Sequence, residues 1–315
     1  MQPKVSILIP CYNAERWVAQ AIQSALDQTY PNKEVIVVDD GSTDSSLEVI
    51  KQFSYAIRWE TGPNHGGNIA RNRLLELSEG EWIQYLDADD YLKPKKVEQQ
   101  VQCLNHHPQA DIIYSPSVFE YWSQDTFRQE VLPIPKPHDP WILLARWYLP
   151  QTGSPLWRKQ AIADVDGWKP DQPCCQEHEL YLRLLKAEKH FEYCPDTGSV
   201  YRQWSEKTVC KRDKSETFRQ RLLIENLIEK HLRDKGKLTR ERLYAINQAR
   251  FECARIIWNF DRDWSIKIVK NIKSTDRRFL PSGNSAPILY KFIYKMFGFS
   301  VSEYLASMRR KVMAS

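Results

Sequence analysis

Asp87-Ala88-Asp89-Asp90 sets three carboxylates directly after the apolar run Glu81-Trp82-Ile83-Gln84-Tyr85-Leu86. Side chains alternate along extended backbone, so Asp87 and Asp89 share a direction if that geometry persists through Ala88. Two carboxylates so placed suit a hard divalent cation, Mg²⁺ or Mn²⁺, which can neutralise charge building on a diphosphate leaving oxygen. Substrate oxygens and water would complete its coordination. Taken alone, an Asp-x-Asp is more often a solvated acidic turn or a helix N-cap. A second acidic pair, Asp39-Asp40, ends the run Glu34-Val35-Ile36-Val37-Val38 and is followed by Gly41-Ser42-Thr43-Asp44-Ser45-Ser46, where a turn or N-cap role competes with ligand binding.

The elements that must position these acids follow from periodicity. Val5-Ser6-Ile7-Leu8-Ile9-Pro10 reads as a buried strand stopped by a proline, with Cys11-Tyr12-Asn13 as the turn after it. From Glu15 to Gln28 the apolar residues Trp17, Val18, Ala21, Ile22, Ala25 and Leu26 recur at helical spacing. The Glu34–Asp40 strand comes next, and Ile57-Arg58-Trp59-Glu60 reads as a short third. Asn64-His65-Gly66-Gly67-Asn68 then leads into a helix through Leu77, and Glu81–Leu86 is a fourth strand. This βαβ rhythm predicts an α/β fold with a doubly wound sheet flanked by helices. Ligands of such sheets bind beyond the carboxyl ends of the strands, so Asp40 and Asp87 should face one crevice.

Further along, a polar helix runs to about His106 and Asp111-Ile112-Ile113-Tyr114-Ser115 is strand-like, after which Pro133, Pro135, Pro137 and Pro140 break regular structure. Pro140–Pro150 is aromatic and apolar, open to use as an acceptor lid or a membrane-facing helix, with a buried helix the default. Gly153–Arg158 looks strand-like, Asp166–Cys175 has the composition of a loop, and Gln176–Ala187 is helical. After about Ser215 helical patterns dominate. The expected organisation is an α/β domain over 1–212 and a helical carboxyl-terminal region over 213–315. Of the 315 residues 42% are hydrophobic and 27% charged, which supports a sizeable core and argues against disorder.

Five ordered motifs carry a resemblance. Val5-Ser6-Ile7-Leu8-Ile9-Pro10-Cys11-Tyr12-Asn13, Ser24-Ala25-Leu26-Asp27-Gln28-Thr29-Tyr30, Val37-Val38-Asp39-Asp40-Gly41-Ser42-Thr43-Asp44, Gly66-Gly67-Asn68-Ile69-Ala70-Arg71-Asn72 and Tyr85-Leu86-Asp87-Ala88-Asp89-Asp90 resemble, in this order, the inverting family-2 glycosyltransferases of the GT-A fold. The likeness extends over roughly residues 4 to 205. It implies transfer of a sugar from a nucleotide-sugar donor, a UDP-sugar, to a hydroxyl of a glycan or lipid-linked acceptor in cell-surface polysaccharide, lipopolysaccharide or other glycan synthesis. It also implies that Pro10, Tyr12 and Asn13 line the nucleoside pocket and that Asp40 accepts a hydrogen bond from the base. Asn68 and Arg71 would lie near base and diphosphate, Asp87 by the nucleotide, and Asp87 with Asp89 on Mn²⁺ or Mg²⁺. For Arg71 a surface salt bridge is the competing reading.

The family supplies its catalytic base from a Glu-Asp pair ahead of a helix. Here Gln176-Glu177 stands at those positions, so the resemblance makes Glu177 the base, one methylene longer than aspartate, and places a neutral amide where an acid is usual. His178 and Glu179 are alternatives, histidine titrating near pH 6.5. Trp157 and Trp168 fall in the acceptor-side half of the likeness and are candidates for stacking on a sugar, with core packing the alternative. The rival reading is a sugar-nucleotide or glycan-binding protein that kept the fold without the reaction. The first strand leads into no Gly-x-Gly-x-x-Gly turn, which argues against a dehydrogenase.

The formal charge of +5 shows no recognisable nucleic-acid motif, so nucleic acid is not an expected partner. Seven scattered cysteines without Cys-x-x-Cys spacing read as reduced thiols, and the absence of a signal-like or membrane-spanning run places the chain in the cytoplasm. Ile288–Phe297 and Arg309-Arg310-Lys311 join bulky apolar to basic groups. They are open to peripheral contact with the inner face of the membrane, a packed helical subdomain being the favoured reading.

Overall fold

The computed structural model describes residues 2–123, 126–204 and 213–314, with side chains described up to residue 310. Cys210, the Lys311 side chain and Arg212 at the expected domain boundary lie outside the described residues. Two compact units emerge. Unit 1 comprises Met1–Pro140 with Tyr148–Arg212, and unit 2 comprises Trp141–Trp147 with Asp213–Ser315.

Unit 1 opens with β1 (Val5–Cys11), α1 (Val18–Leu26), β2 (Lys33–Asp39), α2 (Ser46–Gln52), β3 (Arg58–Thr61), α3 (Gly67–Leu77) and β4 (Trp82–Tyr85). It continues with β5 (Tyr91–Leu92), α4 (Lys96–His106), β6 (Ile112–Tyr114), β7 (Ser117–Ser123) and β8 (Thr126–Leu132). Beyond α5 (Pro140–Ala145) come β9 (Leu156–Arg158), α6 (Lys159–Ala163), α7 (Gln176–Lys186), β10 (Phe191–Tyr193) and β11 (Ser199–Gln203). Among the described residues, seven strands make a mixed sheet in the order β10-β6-β9-β4-β1-β2-β3, in which β9 alone runs antiparallel to its neighbours. β5, β11, β7 and β8 form a second sheet.

The large sheet forms where the apolar runs predict it. Val5, Ile7 and Ile9 of β1 and Val35 and Val37 of β2 are buried with Val18, Ala21, Ile22 and Ala25 of α1. The β7–β8 hairpin was not foreseen, and β8 explains why: all seven of its residues are exposed, so no buried alternation marks it. The cysteine expectation needs correction. Cys103 on α4 and Cys194 beyond β10 are joined as a disulfide across 91 residues of sequence, while Cys11, Cys174, Cys175 and Cys253 are buried outside that bridge. An odd count and irregular spacing say nothing about which thiols the fold brings together.

Unit 2 contains α8 (Lys214–Asp234), α9 (Arg240–Ile257), α10 (Arg262–Thr275) and α11 (Ile288–Ala314). Asp213, Thr239 and Asp261 each accept a backbone N–H three residues on, which starts α8, α9 and α10. Phe251 lies at the centre of an aromatic cluster with Phe279, Tyr290, Tyr294 and Phe299. Trp141–Trp147 belongs here too: Trp141 stacks on His231 and Arg146 pairs with Glu252 at 2.8 Å. The chain therefore leaves unit 1 and returns to it. No helix among the described residues is long and apolar enough to cross a membrane.

Candidate active site

β1 lies between β2 and β4, and both ladders run one residue past the strands. Cys11 O accepts from Asp40 N at 2.8 Å, and Leu8 O accepts from Leu86 N at 2.9 Å. Asp40 and Asp87 therefore emerge on either side of Pro10-Cys11, as the topology requires. The cleft there measures about 370 Å³ and is lined by Pro10, Tyr12, Asn13, Asp40, Arg71, Asp87 and Asp89, among others.

The loops around it are fixed by short hydrogen bonds. Asp40 accepts from the backbone N–H groups of His65 and Gly66 at 2.8 and 2.9 Å, one to each carboxylate oxygen. Each oxygen keeps a second lone pair for a ligand donor. Gly41 makes this approach feasible, because its φ is +72° and a Cβ there would sit 2.6 Å from Asn64 N. Asn13 Oδ1 accepts from Thr43 N at 2.7 Å, joining the turns after β1 and β2.

Arg71 on α3 is buried, donates to Asp87 at 2.8 Å and to Gln176 Oε1 at 3.1 Å, and lies 4.9 Å from the centre of the Trp168 ring. It is part of the site and not a surface ion pair. Asp89 Oδ2 accepts from Trp204 Nε1 at 2.9 Å. Burial and the neighbouring Asp87 charge raise its pKa above the ordinary value. Asp90 faces away into a buried network, accepting from Arg202 N at 2.8 Å. The Arg202 guanidinium donates to Asp89 O at 2.8 Å and pairs with buried Glu120 at 3.3 Å. Burial drives the Asp90 carboxyl well upward. The three acids thus divide: Asp87 and Asp89 face the cleft, and Asp90 anchors their loop to the second sheet. Arg202 and Trp204 were not singled out from sequence; their signal is an arginine and a tryptophan closing the last strand of the unit, at β11.

Residues 6–157 match the family model described as Glycosyl transferase family 2. Over that stretch, just under half of its length, the chain is similar to glycosyltransferase family 2. An uncharacterized glycosyltransferase of Haemophilus influenzae is 41% identical over 110 residues, covering 33% of this chain and 44% of the relative. The putative teichuronic acid biosynthesis glycosyltransferase TuaG of Bacillus subtilis is 36% identical over 107 residues, covering 32% and 42%. The matched stretch is thus under half the length of either relative. TarS 1–349 of S. aureus, solved in complex with UDP-GlcNAc, superposes with a TM-score of 0.58 at 16% identity, covering 87% of this chain and 92% of that one. The fold is GT-A.

Within this family-2 framework, α7 brings the Gln176-Glu177-His178-Glu179 stretch near Arg71, though none of the four lines the cleft. Glu177 keeps 24% of its side chain exposed, with His178 Nδ1 3.7 Å away. Burial alone would raise its pKa, but the His178 contact and the Arg71 charge outweigh that and hold it below the ordinary value. Glu179 is engaged by Arg183, at 2.9 Å from Nε and 2.8 Å from Nη2, and His178 is buried. Of the three side chains, Glu177 keeps the largest exposed fraction, 24% against 14% for Glu179 and 8% for His178.

Two expectations are corrected. Trp157 and Trp168 are 0% and 1% exposed: Trp157 stacks on Tyr181 and Trp168 meets Tyr85 edge-on, so neither has a ring face open to a sugar. Trp168 instead backs Arg71. Asn68 is buried outside the cleft and donates to Lys169 O at 2.7 Å, while Asn72 exchanges two hydrogen bonds with the Trp168 backbone. The pair clamps the loop that carries Trp168.

Asp87 and Asp89 suit a divalent cation. They are hard oxygen donors on one cleft, and a cation would relieve the repulsion that raises Asp89. No third His, Cys or carboxylate converges on them among the described residues, which leaves coordination positions for phosphate oxygens and water.

Proposed function

We propose that 1–212 is a catalytic domain that transfers a hexosyl group, with inversion, from a UDP-sugar to a hydroxyl of a glycan or lipid-linked acceptor in cell-surface polysaccharide synthesis. Residues 213–315 then form a helical appendage, and the protein works at the cytoplasmic side of the membrane. The observation that carries this reading is the meeting of Asp40, Arg71, Asp87 and Asp89 on one cleft at the carboxyl ends of β2 and β4 and the start of α3. The UDP-GlcNAc bound to TarS and the teichuronic acid role given to TuaG support the donor and pathway class.

In this mechanism Pro10, Tyr12 and Asn13 bound the nucleoside pocket and Asp40 accepts from the base with its remaining lone pairs. Arg71 fixes the Asp87 carboxylate, and Trp204 fixes that of Asp89. Asp87 and Asp89 would hold Mn²⁺ or Mg²⁺, which would supply charge neutralisation at the departing diphosphate. Glu177, kept ionised by His178 and Arg71, takes the proton of the acceptor hydroxyl as it attacks the anomeric carbon. Gln176 occupies the position where the family carries an acid and accepts from Arg71, so Arg71 keeps positive charge to spare for phosphate.

The test is a panel of UDP-, GDP- and dTDP-sugars with Mn²⁺, read by thermal shift and by nucleotide release. A UDP-sugar should raise the Tm and release UDP. A raised Tm with no release for any donor and acceptor would favour a binding protein, and no shift with any sugar nucleotide would overturn the reading.

A further inference from the structure

α11 presents two faces. On one, Tyr290, Tyr294 and Phe299 join the aromatic cluster of unit 2, and buried Glu303 accepts from Tyr290 Oη at 2.8 Å and pairs with Arg255. The other face is apolar and exposed. At about 100° per residue, Ile288, Leu289, Phe292 and Met296 fall within a stripe roughly 100° wide. Their exposures are 88%, 60%, 63% and 62%. Gly298, with φ of +79°, breaks the helix. The segment after it shows a second stripe of similar width, from Val301, Tyr304, Leu305 and Met308, all more than two-fifths exposed. Scattered exposed apolar residues are ordinary; two consecutive stripes of large ones are not.

Charge identifies what covers them. Lys291 and Lys295 lie along one edge of the first stripe, and Arg309 and Arg310 follow the second in sequence. Residues 213–315 hold 22 Lys and Arg against 11 Asp and Glu, a net +11, so with +5 for the whole chain the first 212 residues carry −6. An apolar stripe edged by lysines on a strongly basic unit matches a surface that is apolar below and anionic above. A nucleic-acid face would need no such stripe. A symmetric second copy packed on this face would set the basic residues of one copy near those of the other.

We propose that the outer face of α11 seats in the interfacial layer of an anionic lipid bilayer, lying along the surface. Spanning is ruled out, since no described helix is long and apolar enough. The inference stands independently of the transfer reaction.

The full chain should co-sediment with vesicles of phosphatidylcholine containing roughly 30% phosphatidylglycerol about tenfold more strongly than with phosphatidylcholine alone, weakening between about 0.1 and about 0.5 M NaCl. Phe292→Glu with Met296→Glu should lose about tenfold in vesicle affinity while its Tm stays at the parent's, because both side chains are exposed. Lys291→Gln with Lys295→Gln should weaken binding severalfold and flatten the salt dependence. Failure to sediment with either vesicle overturns the proposal. So does binding unchanged by the glutamates, which would be charge adsorption alone. A dimer by light scattering that the glutamates abolish, without vesicle binding, assigns the face to a second copy. Duplex RNA or DNA bound in preference to vesicles likewise overturns it.

Discussion

In unit 1, Arg71 holds Asp87 at the rim of a cleft and Arg202 ties the Asp90 loop to Glu120. In unit 2, Arg250 reaches Glu229 and Asn226 between α8 and α9, and Arg255 reaches Glu303. Both units bury arginines beside acids, yet among the described residues it is unit 1 that sets two acids against each other at a cleft: Asp89 is raised by burial and by Asp87, with open space before it. Glu229, by contrast, is brought below its ordinary value because Arg233 and Arg250 outweigh its burial. Matched acids fix helices to one another, while a mismatched pair at a cleft is a place for a cation.

That contrast can be broken at four points. Asp89→Ala should lower metal-dependent turnover by about 10⁴-fold with the melting curve kept, since Asp89 lines the cleft and not the apolar core; ordinary turnover would remove the proposed metal role. Glu177→Gln should leave donor affinity near the parent's and slow transfer by about 10³-fold. Full activity in that variant would move the base to Glu179 or His178. Arg202→Met, which leaves buried Glu120 without its cation, should cost about 3 to 5 kcal/mol in urea unfolding; a loss under about 1 kcal/mol would show the network to be dispensable.

The fourth probe concerns Glu225 of α8. Burial, only partly offset by Arg221 and Arg250, pushes its carboxyl up to about 7. Its folded pKa lies above the unfolded one, so its stabilising contribution is whole below about pH 4.5 and is lost as pH rises through 7. Glu225→Gln keeps a neutral side chain throughout. The variant's stability relative to the parent should therefore rise by on the order of 3 kcal/mol between pH 4.5 and pH 8. Differential stability independent of pH would mean that the charge is already compensated.

β1, β2 and β4 were legible because parallel strands buried on both faces read as continuous apolar runs, and Asp40 and Asp87 mark where those runs end. α4 and α7 were legible from periodicity. β8 was not, being exposed throughout, and β10 and β5 are too short to show a period. Tryptophan was ambiguous in principle: Trp157 and Trp168 are apolar enough for a core and flat enough for a sugar, and only burial separates the two. Asn68 was expected near base and diphosphate from the resemblance, but its amide, like that of Asn72, holds backbone of the 168–169 loop, about a hundred residues away.

The chain order of apolar runs, turns and acids was thus sufficient to specify an open α/β sheet with carboxylates at its ligand-binding edge, because strand direction and the switch between neighbours follow from local pattern and connectivity, while the GT-A assignment came from the resemblance of the motifs. Which acid faces the cleft, which arginine backs it, which cysteines pair and which face of α11 stays bare were decided by packing. Those outcomes depend on residues separated by tens to hundreds of positions, and no periodicity along the chain encodes their meeting.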